Sequence, residues 1–320
     1  MDKPMMHELE QKKKVIAADL QLLLLAIIWG AGFVAGKVAL ETITPFSLIA
    51  FRYLGAALFL LPFAWKHFKA IDKTTLFISA GIGGLMFVGI CFQTIGLQYT
   101  TPAKQSFIVS SYTVLVPLLS FLFLREKQSK RTAVAAVMAM VGIGILTLNK
   151  DLTIGLGDML TMVFALAFSV QVILTGRFVK KLNIWLYTFL SLSAAGALAV
   201  GGALLLEKPV AFSAVSMGSW LGLAYLAFFN TAAAFLLQNS AQRYAPPSHT
   251  ALIMSSETVF GTIFAILIVG EIFTTQKIIG CAIMFAAILL AELPLPKKAS
   301  AASAQPQKAS RKADASLQSE

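Results

Sequence analysis

Apolar runs of about twenty residues recur from one end of this chain to the other, and that pattern excludes most folds. As a helix, a run of that length matches the hydrocarbon thickness of a bilayer. In lipid every backbone N–H and C=O must be paired within the span. Each run is therefore expected to be a helix, since the runs are too long and too uniformly apolar for barrel strands. Composition agrees: 58% of the 320 residues are hydrophobic and 13% charged, where a soluble domain runs roughly 45–50% and 25%. The expected class is an all-α integral membrane protein.

Turn and charge signals divide the chain into about ten transmembrane helices. The spans read Leu20–Leu40, Phe46–Trp65, Leu76–Tyr99, Pro102–Leu124 and Thr132–Leu148, then Asp158–Phe178, Ile184–Leu206, Met217–Gln242, Thr250–Val269 and Thr275–Leu293. Residues 1–19 form an N-terminal segment carrying Lys12, Lys13 and Lys14. The following run is longer than a signal-peptide core and no Ala-x-Ala site follows it, so a retained first helix is expected. Residues 20–148 and 158–293 make two five-helix units, with 149–157 as an external linker. Residues 294–320, rich in Ala, Ser, Lys and Gln, read as a disordered tail.

The net charge of +11 does not point to nucleic acid, because the basic residues sit in short loops and tails. Alternating the spans from a cytoplasmic N-terminus gathers Lys66, Lys69, Lys73, Arg125, Lys127, Lys130, Arg131, Arg177, Lys180, Lys181, Arg243 and the tail lysines on one side. Lys104, Lys150, Lys208 and Lys277 fall on the other. This is the positive-inside pattern, with both termini cytoplasmic.

One stretch is repeated. Tyr99–Glu126 aligns without a gap on Tyr244–Glu271, placing Pro102 on Pro247, Ser110-Ser111 on Ser255-Ser256, Thr113-Val114 on Thr258-Val259 and Glu126 on Glu271. Tyr112 stands where the second copy has Glu257. Five spans per half is an odd number, so the halves enter the membrane from opposite sides, as inverted-topology repeats. Such repeats usually hold a small-molecule site near the midplane between the halves and move by alternating access. A midplane cavity floored by the fourth and ninth spans is expected.

Glu257 is the leading candidate residue. A carboxylate in mid-span costs roughly 2.5–3.5 kcal/mol on insertion scales and belongs on a cavity or against a partner. It would bind a cationic or amino group, or exchange a proton. The alternative is a structural group held by Ser255, Ser256 or Thr258. Arg52, two turns inside the second span, needs an anion or water. A substrate carboxylate would serve, as would an ion pair with Glu41 or snorkelling. For Lys37 a pair with Glu41, four residues on, is the simpler reading, with substrate contact the other. Tyr112, Ser110, Ser111 and Ser256 offer hydroxyls at the middle of the repeated spans, and Ser also serves helix packing. Trp29, Gln93, Gln171, Asn230 and Gln238 are polar or amphipathic groups in spans, some of which should line the cavity. Gly32-x-x-x-Gly36 and Gly218-x-x-x-Gly222 are packing motifs.

Several classes fall away. No Gly-x-x-x-x-Gly-Lys-Ser/Thr loop for nucleotide phosphates occurs. The histidines His7, His67 and His249 lie outside mid-span, and Cys91 and Cys281 have no metal spacing. No cofactor, metal or catalytic set is expected, and a channel fits two similar halves less well than a carrier. The reading is a secondary transporter. Export and uptake, coupling to a proton, uniport and exchange all remain open, as do a monomer and a homodimer.

The segments Phe92–Phe107 (FQTIGLQYTTPAKQSF), Tyr112–Ser120 (YTVLVPLLS) and Arg125-Glu126-Lys127 resemble the first half of EamA-type members of the drug/metabolite transporter superfamily. Ala251–Phe260 (ALIMSSETVF) and Gly270-Glu271 resemble the second half. Trp29-Gly30 and Phe51-Arg52-Tyr53 fit the same pattern, which covers nearly the whole chain except the tails. The resemblance implies a carrier of the bacterial cytoplasmic membrane for small organic metabolites, often an exporter of amino acids or related compounds. One departure is Thr258, where the family often has Pro, implying a straighter ninth helix or a different hinge.

Overall fold

A computed structural model describes residues 3–125, 130–147, 154–272 and 274–292. All regular structure among them is helical. Among the described residues eight helices are long and apolar enough to cross a membrane: Glu10–Ala39, Pro45–Trp65, Lys73–Gln98, Pro102–Phe123, Leu156–Phe178, Ile184–Leu206, Met217–Ala241 and Pro247–Val269. Two shorter apolar helices, Ala133–Gly142 and Ile278–Ala287, follow the fourth and the eighth of these. The tail from 294, most of the linker and Glu126 lie outside the described residues.

The elements are α1 (Lys3–Ala39), α2 (Pro45–Trp65), α3 (Lys73–Gln98), α4 (Pro102–Val109), α5 (Tyr112–Leu124) and α6 (Lys130–Thr147). The second half holds α7 (Leu156–Phe178), α8 (Ile184–Leu206), α9 (Met217–Tyr225), α10 (Ala234–Ala241), α11 (Pro247–Met254), α12 (Glu257–Val269) and α13 (Thr275–Glu292). Local chemistry sets the ends. Pro45, Pro102 and Pro247 occupy the first helical turn, where a missing N–H loses no bond. Asp72, Thr101, Asn183 and Ser216 cap the N-termini of α3, α4, α8 and α9 by accepting from backbone N–H groups.

Three expectations are amended. The helix of the first span begins at Lys3, so the basic N-terminal segment continues the membrane helix. The two repeated spans are each broken into two helices, α4–α5 and α11–α12. The span between α9 and α10 passes through a π-helical turn, Leu226–Ala233. Apolar periodicity does not register such a turn, because the side chains on either side of it remain apolar.

The packing is reciprocal. α2 packs on α8 and α6 on α13, each a span of one half on its counterpart in the other. α3 packs on α7, and the counterpart pairing sets α1 against α9 and α10. The broken spans cross antiparallel: Ala103 meets Glu271, Ser110 meets Ser255 and Thr258, and Thr113 meets Ala251. One apolar cluster joins α2, α3 and α8 around Tyr53, Leu60 and Leu192. A second joins α1, α5, α7, α10 and α11 around Leu22, Tyr112 and Met254.

The two ends of the bundle differ. At one end three second-half carboxylates hold the first half. Glu207 accepts from the N–H groups of Phe46 and Ser47 at the start of α2, at 2.8 and 2.9 Å. Glu271 accepts from Thr101 Oγ1 and Ala103 N at the start of α4. Asp158 pairs with Lys104 at 2.6 Å. Carboxylates at helix N-termini satisfy orphan donors and complement the dipole. The other end carries Lys66, Lys69, Lys73, Lys180 and Lys181, with His249 and Asp19 joining α11 to α1 at 2.8 Å.

Candidate functional site

The antiparallel crossing is built from two matching breaks. At the first, Ser111 N bonds to Ile108 O, Thr113 N to Ser110 O and Val114 N to Ser111 O. At the second, Ser256 N bonds to Ile253 O, Thr258 N to Ser255 O and Val259 N to Ser256 O. These i to i−3 bonds tighten the helix to a 3₁₀ turn. The ψ angles agree, at −5° and −18° for Ser110 and Ser111 and −13° and −12° for Ser255 and Ser256. Serine hydroxyls reinforce the bend in the second copy: Ser255 Oγ donates to Leu252 O at 2.6 Å and Ser256 Oγ to Ile253 O at 2.7 Å. Between the copies, the Ser110 and Thr258 hydroxyls are hydrogen-bonded. Thr258 thus takes part in the hinge, which lies just before Glu257.

Both breaks restart a helix with a distinctive residue. Tyr112 opens α5 and Glu257 opens α12, and both side chains are buried. The antiparallel crossing turns these equivalent positions toward each other. They are near enough to interact electrostatically, yet the geometry falls short of a hydrogen bond, and Tyr112 Oη and Glu257 Oε1 have no partner. α1 passes close behind. A Cβ on Gly30 would lie 2.6 Å from Phe260 Cβ and 3.0 Å from Glu257 O, so only glycine permits this approach.

Glu257 faces a cavity between the two halves. The cavity runs from the crossing toward the acid-capped end, reaching Leu40, Leu48 and Leu97. Trp29, Phe33, Phe164, Phe168 and Phe235 supply an aromatic wall, with Trp29 edge-on to Phe168 and Phe235 at 5.4 and 5.8 Å. Arg52 lies on the same cavity. Its Nε donates to Thr231 Oγ1 at 2.5 Å and a terminal nitrogen to Asn230 Oδ1 at 2.7 Å, and its guanidinium sits 5.6 Å from the Tyr53 ring centroid. Its hydrogen-bond partners are thus neutral groups, and the ion pair with Glu41, one of the alternatives open to it, is not made. The π-helical turn is the reason, because it turns Asn230 and Thr231 toward α2. Trp29 Nε1 donates to Asn230 O at 3.0 Å and Asn230 Nδ2 to Ile28 O at 3.0 Å. Gly32 leaves the room for Asn230, whose Nδ2 lies 2.0 Å from where a Cβ would be. π-turns often occur at functional sites.

The other candidates are distributed unevenly. Gln93 and Gln171 line the cavity with Trp29, Arg52 and Glu257. Ser110 is buried in the crossing, while Ser111 and Ser256 serve the backbone of the breaks and are not on the cavity wall. Lys37 does not bond Glu41. Its Nζ donates to Leu97 O and Thr100 O at 2.8 and 3.1 Å, because the C-terminal end of α3 offers unpaired carbonyls within reach. Among the lining residues that the sequence reading did not single out is Gln105, just inside α4, fully buried and on the cavity. The signal that would have found it is the cost of an amide at membrane depth.

Toward the basic end the cavity closes on a buried polar layer. Gln238 Nε2 donates to Gln171 Oε1 and Gln242 Oε1, both at 3.3 Å. Gln171 Nε2 donates to Thr175, whose hydroxyl meets Tyr187 Oη at 2.7 Å. Among the described residues, no group of three or more His, Cys, Asp or Glu is placed to hold a metal ion.

Relatives share this plan across most of its length. A transporter from Archaeoglobus fulgidus described as uncharacterized is 33% identical over 282 residues, 88% of this chain and 87% of its own. The Bacillus subtilis transporter YyaM, also described as uncharacterized, is 26% identical over 296 residues, 87% of this chain and 95% of its own. A WAT1-related chloroplastic protein of Arabidopsis thaliana is 24% identical over 290 residues. A solved crystal structure superposes with a TM-score of 0.67 at 18% identity, covering 86% of this chain and 97% of the other, which shows a shared fold. Bacterial and archaeal relatives of this kind accord with a membrane protein of many spans. The EamA-like transporter domain matches twice, over residues 16–148 and 155–293, so the duplication met in the broken spans extends through both halves and the chain belongs to the EamA-like transporter family.

Proposed function

We propose that this protein is a secondary carrier that exports a small organic metabolite, an amino acid or a related compound, across the cytoplasmic membrane by alternating access. The observation that carries the reading is the pairing of two opposite charges on one inter-repeat cavity: Glu257 with an unpartnered oxygen, and Arg52 held only by neutral acceptors. Neither arrangement suits a static fold. A buried carboxylate without a partner is costly, and an arginine in a membrane protein needs an anion or water. A zwitterion supplies what both lack, with its ammonium at Glu257, its carboxylate at Arg52 and its side chain against the aromatic wall.

In this reading the spans are ten, with α6 and α13 completing two inverted five-helix repeats. Both termini are cytoplasmic, as the basic end requires. The cavity then extends toward the external face, and the Gln171–Gln238–Gln242 layer is the closed inner side. Glu257 is also the candidate coupling residue, exchanging substrate for a proton as the carrier turns over. No catalytic step is assigned to it.

Purified protein in liposomes loaded with a pH-sensitive dye tests this. Proton movement on addition of one amino acid or amine, lost in Glu257→Gln, is the expected result. Saturable substrate flux without proton movement, unchanged in Glu257→Gln and Arg52→Gln, would remove the basis of the reading.

A further inference from the structure

The carboxylate is not the only unmet acceptor on the cavity. Gln105 is fully buried, and its Oε1 has no hydrogen-bond partner. Its amide nitrogen is committed on the other side, donating to Gln93 O at 2.8 Å and Thr161 Oγ1 at 3.2 Å. The carbonyl of Gln93 can only accept, so the amide cannot turn over without setting two acceptors against each other. α3 and α7 thereby fix the direction of Oε1.

Gln105 and Glu257 each adjoin the crossing of α4 and α12. Each precedes a residue of the α4–α12 contact: Ser106 follows Gln105, Thr258 follows Glu257, and Thr258 Oγ1 donates to Ser106 O at 3.5 Å. A Cβ on Gly261, one turn beyond Glu257, would lie 3.0 Å from Ser106 Cβ. Both Gln105 and Glu257 line the same cavity, and each holds one unpartnered oxygen, Oε1. Gln105 has no acid or amide at its counterpart position, which is Thr250. The two acceptors therefore do not follow from the duplication; they belong to this site.

We propose that Gln105 Oε1 and Glu257 Oε1 together form the recognition site for an ammonium group bearing at least two N–H donors, so that the carrier selects primary amines over quaternary ones. The inference rests on the transport reading above and specifies the cationic end of its substrate. A primary ammonium satisfies both oxygens. A trimethylammonium satisfies neither, although it carries the same charge and would suit the aromatic wall through cation–π contact. Sites built to hydrogen-bond a substrate reject an analogue lacking the donors far more strongly than apolar pockets reject an extra methyl group. Gln105 is thus a specificity residue, and Glu257 supplies the charge.

The test uses the full chain in nanodiscs, with phenethylamine and its N,N,N-trimethyl derivative as probes. Binding is read from Trp fluorescence and from the shift in unfolding temperature. The primary amine should bind on the order of 10²-fold more tightly than the quaternary one. Gln105→Leu, which removes the acceptor oxygen, should bring the ratio to within about fivefold. If Gln105→Leu fails to fold, collapse of the ratio in Gln105→Met carries the same information. Equal binding of both probes by the wild type, or a ratio unmoved in Gln105→Leu and Gln105→Met, overturns the proposal. Absence of binding by either probe, with Glu257-dependent amino-acid flux intact in liposomes, overturns it and leaves the transport reading standing. Absence of both removes the two together.

Discussion

The fourth and ninth spans have the same backbone and different chemistry. Each opens with a proline, breaks at a serine pair and ends in a left-handed residue, Arg125 at φ 55° and Gly270 at φ 68°. Yet one restarts with the phenol of Tyr112 and the other with the carboxylate of Glu257. Duplication preserved what closes the helix ends and lets two spans cross at close range. It left free the side chain aimed at the partner copy. Because the copies run antiparallel, equivalent positions meet, and a carboxylate faces a phenol there. Two carboxylates at that point would repel within a buried site. The asymmetry of the site thus follows from its symmetric frame.

The comparison can be broken most severely at the position that differs. Glu257→Gln should lower substrate flux in proteoliposomes by about 10- to 100-fold, the worth of a charge-assisted hydrogen bond at about 1.5–3 kcal/mol. Tyr112→Phe, its counterpart, should change flux by less than about tenfold. Similar losses in both would show that the copies share the work.

Gly30→Ala comes next, since α1 presses on the second copy where its Cβ would meet Phe260 and Gly261. We expect a loss of about 1–3 kcal/mol, read by reversible unfolding in mixed micelles, because the contacted atoms include backbone. Full stability in that variant would contradict the close approach.

The helix ends offer a sharper contrast. Gly270→Ala should cost about 1–2 kcal/mol, since an L side chain is strained in the left-handed region. Arg125→Gly should gain about 0.5 kcal/mol, strain relief less the added freedom of the unfolded chain. Opposite signs at equivalent positions are the expected outcome of the same unfolding measurement.

The smallest effects lie at the crossing itself. Ser110→Ala and Thr258→Val each remove one side of the same hydroxyl contact. Each should cost about 0.6 kcal/mol, the average for interhelical hydrogen bonds in membranes. The double variant should cost little more than either alone, because the two share one bond.

How far the sequence carried depends on the residue. Glu257 was legible because a carboxylate amid apolar residues is costly wherever it points. The duplication was legible because proline, serine and glutamate recur in one register. The breaks were not, since Ser-Ser is tolerated within a membrane helix and bends it only when the hydroxyls bond back to the chain, as Ser255 and Ser256 do. Arg52 was visible as a charge needing a partner, but its partners, 178 and 179 residues later in the chain, depend on a π-helical turn. Lys37 was assigned to the nearest acid along the helix, whereas the carbonyls at the end of α3 lay within reach and were unpaired. Gln105 was not singled out, because distance from Pro102 says nothing about what α3 and α7 bring alongside.

By itself the sequence determined a helical membrane protein with two related halves and an acid at the heart of the second. Hydropathy, span length and register are properties of the chain read locally, and the bilayer leaves helices as the one outlet for them. Tertiary structure alone decided which groups meet: Tyr112 with Glu257, Arg52 with Asn230, and Gln105 with Gln93 and Thr161. Those encounters are set by helix crossings between residues far apart in the chain, where a gap of a few tenths of an ångström decides whether a polar atom finds a partner or is left facing the cavity.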